Sequence, residues 1–160
     1  MPVTFRNIQK EDNAEIAELI RSVFREFNIA RPGTVYFDPT TDDLFGLFST
    51  ADSEYWIAED DGVIIGGCGV YPTPGLPEGM AELVKLYLDP GYRGQGIGWQ
   101  LMEKAFGSAR KFGYRQLYLE SLPELGRAIS LYERAGFRSL TCQLGSSGHF
   151  GCDIWMVKDL

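Results

Sequence analysis

Ile16, Leu19, Ile20, Val23, Phe24 and Phe27 recur at steps of three and four, so this segment predicts a helix with one buried stripe, capped by Asp12 or Asn13. Ahead of it, residues 3–8 alternate apolar and polar and read as a first strand. Pro32, Gly33 and Pro39 interrupt residues 28–39, a loop or lid candidate, before a short helical stretch over 41–48. Residues 55–59 and 63–71 read as strands joined by Asp60-Asp61-Gly62, a hairpin signal. Gly66, Gly67 and Gly69 in the second strand anticipate close backbone packing. A Pro/Gly turn over 72–79 leads to a strand at 81–88. Ile97, Leu101, Ala105, Ala109 and Phe112 then predict a long helix that stops at Gly113. After it come a strand at 116–120, a helix over 123–135 ended by Gly136, and strands at 137–142 and 154–157. Segment 143–151 is too long and glycine-rich for a tight hairpin and is a candidate to line a site.

Composition narrows the class. A chain of 160 residues, 44% apolar and 23% charged, fits one domain that buries a real core. Its net charge of -7, with no basic run, argues against a nucleic-acid surface and favours an amine-bearing partner. No apolar run reaches the length of a membrane span and the first residues lack a signal core, so the expected home is the cytoplasm. Cys68, Cys142 and Cys152 are odd in number without C-x-x-C spacing, which predicts reduced thiols that mostly pack. His149 stands alone, so no multi-histidine metal centre is expected and no metal is assigned.

The chemistry concentrates at Arg93-Gly94-Gln95-Gly96-Ile97-Gly98, between the strand at 81–88 and the long helix. Alternating glycines let backbone approach a ligand, and a helix start aims unpaired N–H groups at an anion. Arg93 would add a charge-assisted clamp. A P-loop is excluded because Trp99 and Gln100 follow the last glycine, and the spacing does not fit a dinucleotide fingerprint.

Arg93, Gly96 and Gly98 resemble the core motif of the GCN5-related N-acetyltransferases (GNAT). The likeness runs upstream through residues 82–92 and downstream to 128–137, where Leu131-Tyr132-Glu133 resembles the family's second signature. The resemblance implies an α/β (α+β) GNAT fold across 1–160, a mixed sheet of about seven strands with about four helices and splayed central parallel strands. It implies acetyl-CoA as co-substrate, its diphosphate on residues 93–98 and its arm on the backbone of Leu86, Tyr87 and Leu88. An N–H at Leu88 would serve the oxyanion, and Tyr132 would protonate the departing sulfur. Two carboxylates compete for the base, Glu82 and Glu120, each at a position used by a different branch of the family. Where such proteins often carry Asn before the tyrosine this chain has Leu125, so a side-chain contact to the arm is lost.

The implied activity is acetyl transfer to a primary amine of a small molecule or peptide; the alternative is an acyl-CoA sensor or scaffold that does not turn over. A longer acyl donor or a hydroxyl acceptor is a third version. Residues 29–48 and 143–151 would choose the acceptor, with Tyr36, Phe37, Phe45, Phe48 and Phe150 as candidate pocket aromatics and His149 as a candidate lining residue. Pairing through the final strands would give a homodimer.

Overall fold

A computed structural model describes residues 2–160. Its elements are β1 (Thr4–Asn7), α1 (Asn13–Glu26), α2 (Leu44–Leu47), β2 (Glu54–Asp60), β3 (Val63–Tyr71), β4 (Met80–Leu88), α3 (Ile97–Lys111), β5 (Gln116–Ser121), α4 (Gly126–Arg134), β6 (Arg138–Ser139) and β7 (Ile154–Asp159). The strands form one sheet in the order β1-β2-β3-β4-β5-β7-β6. One face is covered by α3 and α4, through residues such as Leu101, Met102, Ala105 and Tyr132. Ile16, Ile20 and Phe24 of α1 and Leu44 of α2 pack on the other. This is the mixed, helix-flanked sheet expected from the sequence.

The β2–β3 hairpin turns at Asp61 and Gly62, both at positive φ (50° and 80°), as a two-residue primed turn requires. Three boundaries differ from the sequence reading. Asp12 does not cap α1; its carboxylate is buried, takes two hydrogen bonds from Arg6 (2.8 and 2.9 Å) and one from the Gln9 N–H (2.7 Å), closing a short 3-10 turn. Helix α4 starts three residues later than predicted, because Leu125 N–H turns back to Leu122 O (3.0 Å) and no side chain caps the helix. Of the predicted strand 137–142, Arg138 and Ser139 pair with β7 and the Leu140 N–H adds one bond to Trp155 O (2.8 Å) before the chain turns away.

Two features of β4 position the site. Its parallel pairing with β5 covers only Met80↔Gln116, Ala81↔Leu117 and Glu82↔Tyr118, although both strands run on, so they splay beyond Glu82. On the β3 side, Lys85 and Leu86 together oppose Cys68, a bulge that puts Lys85 at φ 54°. The Tyr55 hydroxyl donates to the Lys85 carbonyl at 2.8 Å and holds that bulge. Tyr55 reaches it across Gly67 and Gly69, where an added Cβ would lie 2.5 and 2.7 Å from its ring. The glycines of β3 are thus the space through which one tyrosine reaches the bulge.

Candidate active site

The splay opens a cavity of about 540 Å³ between β4, β5, α4 and the start of α3. At one end lies the glycine turn. Gly94 and Gly96 have φ 78° and 81°, conformations that side chains resist, and Gly96 sits at the N-cap of α3. No side chain caps that helix, so its first N–H groups are left for a ligand. Gly98 also lines the cavity, and a Cβ there would lie 3.4 Å from Leu131. Ile97 is buried in the core, and the Gln95 amide turns back to the Gly91 carbonyl (3.4 Å), so any part they play in binding is a backbone one.

Arg93 departs from the expected free clamp. It borders the cavity, but its guanidinium grips Glu26 at 2.6 and 2.8 Å, reaches Leu88 O at 3.1 Å and lies over the Phe27 ring. A second cation reaches the glycine turn from α4: Arg127, whose Nη2 would lie 3.2 Å from a Cβ on Gly94. Sequence reasoning missed Arg127 because only the packing of α4 against the turn brings it there.

Along β4, Leu86, Tyr87 and Leu88 line the cavity. Asp89 N–H donates to Ile65 O of β3 at 2.8 Å; N–H groups alternate between strand edges, so that of Leu88 points into the gap. Tyr132 borders the same space from α4, its ring edge-on to Phe137 at 5.8 Å. Burial pushes its hydroxyl above the usual tyrosine range, so it is protonated at neutral pH.

The two competing carboxylates turn out to be neighbours. Glu82 faces Tyr118 across the parallel pair and Glu120 is two residues further on the same face of β5. Glu82, Glu120 and His149 bring potential ligand atoms within 4.8 Å of one another, a grouping from three distant segments that the sequence did not announce. Glu120 is held by donors: Tyr118 Oη and Gln143 Nε2 at 2.8 Å each on one oxygen, and the Ser147 hydroxyl on the other. Glu82 takes one bond, from Thr73 Oγ1 at 2.6 Å. Burial pushes Glu82 up to about 7; the Thr73 bond opposes that shift, the nearby Glu120 charge adds to it, and Lys85 and His149 oppose it.

Glu82, Glu120, Lys85, His149 and Cys152 surround a second, smaller cavity of about 40 Å³ behind the first. His149 Nε2 lies 2.7 Å from Asp38 Oδ2. Burial disfavours ionised Asp38, but hydrogen bonds from His149 and Thr40 outweigh it and hold the carboxyl well below its usual range. The segment 143–151 therefore does line the site, whereas the predicted aromatics do not: Phe48 packs in the core, Tyr36 is half-buried against it, and Phe37, Phe45 and Phe150 are exposed. Leu125 borders both cavities.

A splayed mixed sheet, an uncapped glycine-led helix and a cavity lined by both Tyr132 and Glu120 define a protein of the acetyltransferase class. The model of the Acetyltransferase (GNAT) family matches residues 14–137, and the chain belongs to that family. An uncharacterized N-acetyltransferase of Escherichia coli K12, YjgM, is 36% identical over 97% of this chain and 93% of its own length. Human N-acetyltransferase 8 is 30% identical over 70% of the chain, which spans 52% of that protein. A GNAT-family acetyltransferase from Staphylococcus aureus Mu50 superposes with a TM-score of 0.89 at 21% identity, covering 99% of each chain. The PaiA N-acetyltransferase of Thermoplasma acidophilum, solved in complex with coenzyme A, superposes with a TM-score of 0.78 at 22% identity over the whole of both chains. Among the described residues no helix is long and apolar enough to cross a membrane.

Proposed function

We propose that this protein transfers an acetyl group from acetyl-CoA to a primary amine of a small molecule or peptide by direct attack. One observation carries the reading: a single cavity runs from the uncapped start of α3, along the unpaired edge of β4, to Tyr132 and Glu120. The N–H groups of 94–98 and Arg127 meet the diphosphate. The backbone of Leu86, Tyr87 and Leu88 takes the pantetheine arm, leaving the thioester at the splay. Glu82 is the base, because a group held at about 7 is available at neutral pH and still accepts a proton well. Glu120, locked by three donors, draws the ammonium in and keeps Glu82 protonatable. As the amine bonds to the carbonyl carbon, the oxyanion meets the Leu88 N–H. The C–S bond then breaks and Tyr132 gives its proton to the sulfur.

The test is thiol release from acetyl-CoA against polyamines, aminoglycosides, amino acids and peptide N-termini. With an accepted amine, Tyr132→Phe is expected to lower turnover by about 10²-fold or more while acetyl-CoA binding by calorimetry stays within a factor of a few. Full turnover in that variant removes Tyr132 as the acid. Binding with no thiol release across the panel leaves an acyl-CoA scaffold in place of an enzyme.

A further inference from the structure

Lys85 is a primary amine at the junction of the two cavities. It lines both, is only 8% exposed, and its ammonium has no hydrogen-bond partner or ion pair among the described residues; Asp38 and Glu82 act on it only through their charge. It also occupies a backbone position at φ 54° that glycine would adopt with less strain. The Tyr55 bond to its carbonyl fixes the bulge, and Lys85 stands with Leu83 and Tyr87 on the wall the two cavities share, beyond the last pairing of β4 with β5.

We propose that Lys85 is the chain's own acceptor: with acetyl-CoA bound, its amine takes the acetyl group and becomes Nε-acetyl-lysine. The inference rests on the acetyl-CoA reading above. The uncharged Nζ bonds to the thioester carbonyl carbon and gives one proton to Glu82, the C–S bond breaks, the sulfur leaves as coenzyme A thiol with a proton from Tyr132, and the proton held by Glu82 restores Tyr132. One acetyl-CoA and one lysine give one acetyl-lysine and one coenzyme A, and no other reactant is needed. Burial lowers the proton affinity of the Lys85 amine, so more of it is uncharged near neutral pH than for a lysine in water. Acetylation removes the positive charge beside Glu82 and fills the junction, so it shuts the site to other amines.

The experiment incubates the purified full-length protein with acetyl-CoA and no other amine, follows intact mass, and maps acetylated peptides over time. Lys85 is expected to gain one acetyl group at least about tenfold faster than the exposed Lys10, Lys104 and Lys111, which report uncatalysed transfer. Glu82→Gln should slow Lys85 labelling about tenfold or more without changing that of Lys10. Calorimetry with acetyl-CoA runs in parallel. Binding with Lys85 unmodified, or modified no faster than the exposed lysines, overturns the self-acetylation and leaves the transferase reading standing. Absence of binding overturns both.

Discussion

Glu82 carries the sharpest expectation of any single residue. Its carboxyl is 4% exposed and pushed up from an ordinary 4.5 to about 7. A carboxyl raised on folding binds its proton more tightly in the native state, so stability falls as pH climbs from 4.5 through about 7 and is level above that. A gap of that width is worth about 3 kcal/mol. Glu82→Gln abolishes the titration, so the variant should gain up to about that much over the native chain between pH 5 and pH 8, read by urea unfolding at both pH values. An equal response of the two proteins would mean that Glu82 titrates normally. On the proposed mechanism the same group acts in the opposite sense in turnover: as base it must be ionised, so kcat/KM should rise through pH 7 and the Gln variant should lose that limb together with about 10²-fold or more of its rate.

At the scale of elements, the bulge and the glycine turn divide cleanly between stability and binding. Tyr55→Phe leaves the Lys85 carbonyl buried without its donor and should cost about 1–3 kcal/mol. Gly67→Ala drives a methyl into the same ring and should cost a similar ~1–3 kcal/mol of overpacking. The two changes act on one contact, so a double-mutant cycle with Tyr55→Leu should show coupling well above the ~0.5 kcal/mol seen for independent sites. At the turn, Gly96→Ala meets no atom within 4 Å, so its cost, about 1–2 kcal/mol, is backbone strain at φ 81°. Gly98 lies inside α3 at ordinary helical angles, so Gly98→Ala should stabilise by about 0.5–1 kcal/mol. The added methyl thickens the cavity wall, so acetyl-CoA should bind more weakly even as the unfolding midpoint rises. The turn, the hairpin and the helix stripes were legible because each depends on spacing within a dozen residues. The bulge was not, since Gly66, Gly67 and Gly69 announce close packing without naming Tyr55, which comes from the neighbouring strand.

Across the whole molecule the least legible feature is the far wall of the site. Glu82 and Glu120 looked like rivals because each stood in its own segment; parallel pairing of β4 with β5 makes them partners, and no local pattern reports that adjacency. The same holds for Asp38 and His149, which lie 111 residues apart and join the two loops over the small cavity. Around that bond the loops are tied again, by Gly151 N–H to Gly33 O at 2.7 Å and by the Phe150 ring lying over Gly33, and the first loop is tied to the start of α4 by Arg31 and Glu124 at 2.7 Å. With about 40 Å³ behind the splay there is room for a water or two, so under the proposed function an acceptor amine coming from this side needs the loops to part. Ile29 and Val35 root the first loop in the core, whereas segment 143–151 is tied down by hydrogen bonds to Glu120, Asp38 and Gly33, which makes it the part able to open without the sheet. Asp38→Ala removes the bond to His149 together with two that Asp38 accepts from Thr40, and one bond to a charged group is alone worth about 1.5–3 kcal/mol, so hydrogen exchange at the Gly151 amide should quicken by roughly 10-fold or more. Exchange at the β5 and β7 amides, bonded strand to strand, should stay as it was. If the loop and strand amides accelerate together, opening is global and the two loops are not a separate gate. If only the loop responds, the same variant should shift the acceptor KM while acetyl-CoA affinity, which the proposed mode sets at the opposite end of the large cavity, is unchanged.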